Sequence, residues 1–215
     1  MKKELKKLTV TEFLEILAWP DGAPGGGALC ALNGALGAAG LILVAKLTAK
    51  LKRFEEEAPL CLKIAAEVEP LMKALTDGID RDVIQYNKII EAYRMPRRTE
   101  QEMAERKNAI MQATLSATEA PYGVLCQSLQ VLQLCQQLNG HYNPAAASDF
   151  AAAVLQLNAA AKIAWANILA NYPGISDMSR AKEILSYGEE KRRQAMELSN
   201  RLIQSAEDIL KKDIT

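Results

Sequence analysis

The chain has 215 residues, 49% of them apolar and 24% charged, with 26 basic and 26 acidic side chains in balance. That length and composition fit one globular domain with a sizeable core. The zero formal charge excludes a global field steering the protein to nucleic acid, and aromatics at only 5% leave few platforms for stacked bases.

Strand signals are almost absent, and long Ala, Leu, Glu, Lys and Gln runs point to an all-α protein. Residues 1–7 are a basic start. Thr9 and Glu12 have capping-box spacing, and Phe13, Leu14, Ile16 and Leu17 supply an apolar stripe. This first helix ends before the turn cluster Trp19-Pro20-Asp21-Gly22.

The run from Pro24 to Thr48 organises the chain. It opens with Pro24, Gly25, Gly26 and Gly27, and holds one polar residue, Asn33, before Lys46. Gly34, Gly37 and Gly40 recur every three residues among alanines. Each glycine costs a helix about 1 kcal/mol relative to Ala, a cost that close backbone approach justifies. The run is read as a buried central helix rather than a membrane span, because Ala and Gly dilute its hydrophobicity and no second such segment is evident. A signal peptide is not expected, since an amphipathic segment separates the basic start from the apolar run. No GK[ST] follows the glycines, so they are not a phosphate loop. They make either a helix N-terminus suited to an anion or carbonyl, or a plain turn. Lys46, Lys52 and Arg53 lie at or beyond the far end, in a stretch expected to continue the helix as a solvated end. Lys50, Lys52 and Arg53 are either a solvated face or an anchor for an anionic tail.

Pro59 is expected to open a third helix, with a break or kink at Asp77-Gly78. Asp82, Tyr86, Ile89 and Tyr93 then share one helical stripe, which suits either a site wall or an exposed Asp beside half-buried tyrosines. Met95-Pro96 ends that helix, and Thr99 with Glu102 caps the next. Pro121 predicts a kink or break near Ala120. Asn139 to Pro144 form a loop, and Ser148-Asp149 open a helix in which Asp149, Gln156, Asn167 and Asn171 fall within roughly 60° of one another. This stripe suggests a buried polar wall, with Asn158 and Lys162 on the other side. Pro173-Gly174 end that helix, and a charged last helix runs from about Ser179 to Lys212. The four cysteines, Cys30, Cys61, Cys126 and Cys135, form no CxxC pair and are read as buried thiols in a reducing cytosol. A lone His141 makes a His-based zinc site unexpected.

Taken together, PGGGA at 24–28, LVAKLT at 43–48, KRFEE at 52–56, DRDVIQYNKIIEAYRMP at 80–96, RKNAI at 106–110, ATEAP at 117–121, NPAAASD at 143–149 and WANILANYPGISD at 165–177 resemble the cyclodeaminase/cyclohydrolase family of folate enzymes. The resemblance implies a single helical domain over 1–215, an up-and-down bundle around the buried Gly/Ala-rich helix, and a cytoplasmic homodimer. It implies hydrolysis of 5,10-methenyltetrahydrofolate to 10-formyltetrahydrofolate, or cyclisation of 5-formiminotetrahydrofolate with release of ammonia, without a metal or redox cofactor. On that reading Asp82 is the general acid/base. Pro24, Gly25, Gly26, Gly27, Tyr86, Asp149, Asn167 and Asn171 bind the folate, and Lys46, Lys52 and Arg53 meet its glutamate tail. The chain departs from the commoner family pattern at Ala28 (Ser), Lys46 (Asn), Tyr142 (Gly) and Ala145 (Asn). Ala28 and Lys46 motivate a second reading, a silent folate binder or purely structural helical oligomer.

Overall fold

The computed structural model describes residues 4–20, 24–174 and 178–212, so Asp21 and Gly22 of the expected turn and the 175–177 end of the last motif lie outside the described residues. Six α-helices carry the fold: α1 (Val10–Leu17), α2 (Gly26–Ala49), α3 (Ala58–Arg94), α4 (Glu100–Leu138), α5 (Ala147–Asn171) and α6 (Met178–Lys211). No strand occurs among the described residues. Both expected capping boxes are formed, Thr9 with Glu12 on α1 and Thr99 with Glu102 on α4.

Neighbouring helices run up and down. On α2, Gly27 faces Asp82 and Gly34 faces Leu75, so α3 is antiparallel to it. Gly26 faces Asn167 and Gly40 faces Ala153, so α5 is antiparallel too. α2 lies between these two helices with α4 behind them, and Ala28, Ala31, Ala38, Leu41, Val44 and Ala45 are wholly buried. The glycines explain how α2 sits so close. A Cβ on Gly37 would stand 2.6 Å from Leu157 Cγ and 2.8 Å from the Ala153 carbonyl oxygen. Among the described residues, two helices, α2 and the segment Pro144–Asn171, are long and apolar enough to cross a membrane, but 61% of the α2 window is buried inside this bundle.

Three expectations are corrected. α2 stops at Ala49, and a short 3-10 turn at Lys52–Phe54 replaces its expected continuation. α3 runs unbroken through Asp77-Gly78; Gly78 serves packing, since a Cβ there would meet Ala31 Cβ at 3.1 Å. α4 runs unbroken through Pro121. α5 begins at Ala147 behind a 3-10 turn, with Ser148 and Asp149 in its first turn as expected.

α3 and α4 outlast α2. Residues beyond Asp82 on α3 and before about Ala113 on α4 form a largely exposed hairpin overhanging the start of α2. The N-terminal turn Leu5–Lys7 is strapped to α3 beneath that overhang. The Leu5 N–H donates to Asp80 Oδ1 at 2.6 Å, and Lys6 Nζ pairs with Asp77 at 2.8 Å.

Packing at the glycines sets a first test. Gly37→Ala should lower stability by about 1–3 kcal/mol, the usual cost of overpacking. Gly123→Ala, where nothing lies within 4 Å of an added Cβ, should raise it by about 0.5–1 kcal/mol through helix propensity. Urea unfolding of both variants checks the pair; equal effects would contradict the packing described.

Candidate active site

Helix α2 begins at Gly26 after Gly25 as N-cap, and a glycine offers no side chain for the first N–H groups. The missing cap comes from α3. The Asp82 carboxylate lies over Gly27, where any Cβ would overlap its Oδ1, and it accepts a hydrogen bond from the Ala28 backbone N–H. Asn167 of α5 closes the other side, with Nδ2 2.8 Å from where a Cβ on Gly26 would stand. That Nδ2 donates to the Ile163 carbonyl at 2.8 Å. Consecutive glycines therefore let both side chains close in: a side chain at 26 would displace Asn167, and one at 27 would displace Asp82.

Beside the carboxylate, Gly27, Gly78, Arg81, Asp82, Ala120, Pro121 and Val124 line a cavity of about 10 Å³. That is the size of one water. Burial raises the Asp82 pKa above its ordinary value, and the Ala28 N–H works against that rise. Cys30 lies just beneath, donating to the Gly27 carbonyl at 3.0 Å. Burial, then the nearby Asp82 charge, push its thiol up to about 12, so it is a packing group and not a nucleophile.

The other sequence candidates divide between the two ends of the bundle. Pro24 is buried at the entry to the glycines, and Tyr86 stands one turn beyond Asp82 on the overhang, 40% exposed. Asn171 lies one turn beyond Asn167 and donates to the Ala117 carbonyl at 3.1 Å. Lys46, Lys52, Arg53 and Asp149 are at the opposite end. Gly27 and Lys46 are 19 residues apart on one helix, about 28 Å, and Asn167 and Asp149 about 27 Å. Lys46 pairs with Glu69 at 2.9 Å. Arg53 donates to Asn143 Oδ1 at 2.8 Å and lies over the Phe54 ring, beside a 510 Å³ groove shared with Pro144, Ala145, Ile209 and Leu210. Asp149 is exposed in the first turn of α5. The expected polar wall is thus not continuous: its first member is solvated, while Asn158, assigned to the opposite side, is the buried one, with Oδ1 unpartnered. Tyr142, in place of a family glycine, is stacked on Phe150 with centroids 4.5 Å apart.

Sequence reasoning missed Arg81, Ala120, Pro121 and Val124 as neighbours of Asp82. Two of its own motifs, at 80–96 and 117–121, contain all but Val124, yet only the fold brings those motifs together.

The sequence profile of formiminotransferase-cyclodeaminase matches residues 9–211. A methenyltetrahydrofolate cyclohydrolase of Methylorubrum extorquens is 32% identical over 177 residues, covering 82% of this chain and 85% of that protein. A formimidoyltransferase-cyclodeaminase of Gallus gallus is 26% identical over 165 residues, 77% of this chain but only 30% of its own length. The crystal structure of a formiminotetrahydrofolate cyclodeaminase from Thermotoga maritima matches with a TM-score of 0.85 at 26% identity, covering 96% of this chain and all of that one.

The raised Asp82 pKa has a stability consequence. A raised folded-state value means the neutral carboxyl is favoured in the native state; that contribution is full below the unfolded value and is lost as pH rises through the folded one. Asp82→Asn, neutral throughout, should therefore gain thermal midpoint over the parent as pH rises from about 3.5, near the ordinary Asp value, through the raised folded one. A variant that loses ground over that range would mean the ionised cap stabilises more than its burial costs.

Proposed function

The chain belongs to the formiminotransferase-cyclodeaminase family, and from that premise we propose that it works as a folate one-carbon enzyme whose reacting carbon is held over the start of α2. The observation that carries this is a half-buried carboxylate, of raised pKa, beside a water-sized cavity at a helix N-terminus.

Both reactions of the family take place at one amidine-type carbon. In hydrolysis, a water in the cavity attacks the methenyl carbon of 5,10-methenyltetrahydrofolate while Asp82 takes its proton. The carbon–N5 bond then breaks as the new hydroxyl gives up its proton to become the formyl carbonyl, N5 takes back the proton held by Asp82, and 10-formyltetrahydrofolate remains with one proton released to solvent. In cyclisation, N10 attacks the formimino carbon, its proton passes to the carboxylate, and the departing amine takes a proton and leaves as ammonia. Neither changes an oxidation state, so the chemistry calls for no redox cofactor, and proton transfer by one positioned carboxylate serves both. Asp82 suits that work because burial brings its pKa towards the useful range.

Asn167 and the Gly25–Gly27 backbone would orient the pterin, with Tyr86 at the rim. Arg81, the cation beside Asp82, suits the substrate's carboxylates better than Lys46 or Arg53 does. A contact from Lys52 or Arg53 would need a long polyglutamyl tail or a neighbouring copy. Neither departure that suggested a silent protein disturbs this end: Ala28 is wholly buried and contributes its backbone N–H, and Lys46 is held by Glu69. Leu36, Leu43 and Leu47 leave an exposed apolar stripe on α2, which supports a homodimer. Cys30, Cys61, Cys126 and Cys135 are all free, in keeping with a cytoplasmic protein.

Loss of the near-ultraviolet absorbance of 5,10-methenyltetrahydrofolate, with ammonia release from 5-formiminotetrahydrofolate measured in parallel, tests the assignment. Turnover of at least one is expected, falling by about 10²–10⁴-fold in Asp82→Asn, the range for loss of a general acid/base. Tight folate binding without turnover would favour the silent binder, and an Asp82→Asn variant of full activity would remove Asp82 from the chemistry.

A further inference from the structure

Helix α4 contains a buried proline and remains one helix. Pro121 has no N–H, so the carbonyl four residues back, that of Ala117, loses its helical partner. α3 has the same defect at Pro70, but there the freed carbonyl is that of Ala66, an exposed residue that water can serve. Ala117 is buried, and an unpaired buried carbonyl is costly.

Asn171, the last residue of α5, supplies the missing donor through its Nδ2–H at 3.1 Å from the Ala117 oxygen. The bond joins two parts of the site. Pro121, with Ala120 and Val124, walls the cavity beside Asp82. Asn167, one turn before Asn171 on α5, lies against Gly26. Movement of either helix end would loosen the wall that desolvates Asp82 or withdraw Asn167 from the glycines.

We propose that Asn171 is a positioning residue that stands in for the Pro121 N–H at the Ala117 carbonyl and so fixes α4 and α5 in register around the start of α2. Its amide donates to protein backbone rather than to substrate, unlike the folate-binding role first assigned to it. For turnover this rests on the reading of Asp82 as the reacting carboxylate; the tie itself does not.

A double-mutant cycle separates the two. Asn171→Ala is made in the natural background and in Pro121→Ala, where residue 121 regains an N–H and the Ala117 carbonyl its helical partner. In the natural background Asn171→Ala should lower the thermal midpoint by about 5 °C and kcat/KM by about tenfold. The acid limb of its pH profile should move down, because a loosened wall desolvates Asp82 less. In the Pro121→Ala background the same substitution should cost less than about twofold in kcat/KM and little midpoint. An Asn171→Ala chain that folds only with Ala at 121 is the same result in stronger form. Equal costs in both backgrounds, with KM raised and kcat kept, would overturn the proposal and make Asn171 a substrate ligand. If no folate turns over, the midpoints decide alone: coupling upholds the tie while the folate reading fails, and additivity overturns the tie.

Discussion

The approach of the Asp82 carboxylate to the Gly27–Ala28 backbone is the constraint on which the rest of the site depends. A helix that starts without a capping side chain exposes N–H groups and the positive end of its dipole. A carboxylate brought in from another helix satisfies that end, but burial opposes its charge. The result is a group held between two demands, ionised by the helix start and neutralised by its surroundings. A proton-transfer group at a reacting carbon needs that balance. Each glycine then has one reason: Gly26 gives way to Asn167, Gly27 to Asp82, and Gly37 to Leu157.

Much of the fold was legible in the sequence because its signals are local. Capping boxes at Thr9 and Thr99, Pro59 in a first turn and the stop at Met95-Pro96 each act within a few residues. The glycine spacing of α2 foretold close packing, although not which neighbours would come close. Of the break or kink expected at Asp77-Gly78 and Pro121, the break is absent at both for a shared reason. Helix breakers are weak priors, and tertiary packing overrode them by fitting Gly78 against Ala31 and by giving the Ala117 carbonyl an outside donor.

For the site, the structure brings some of the candidate residues together and separates others. Asp82, Asn167 and the glycines meet, although their sequence separations gave no hint that they would. Asp149 and Asn167 share an angular stripe, but an angle around a helix axis says nothing of the distance along it. The family resemblance grouped the cations Lys46, Lys52 and Arg53 with the glycines, whereas a helix of 24 residues carries them to the other end of the bundle. Arg81 adjoins Asp82 in sequence, but only the fold sets it beside the cavity. Family membership supplied the reaction class, which geometry alone would have left open between proton-transfer chemistries.

The most direct test is a crystal structure with bound 5-formyltetrahydrofolate, a stable analogue of the one-carbon substrates. The account requires the formyl group within about 3.5 Å of the Asp82 carboxylate, with the pterin against the Gly25–Gly27 backbone and Asn167. A folate lodged instead in the Arg53–Asn143 groove, with Asp82 untouched, would contradict it and move the chemistry to the opposite end of the bundle.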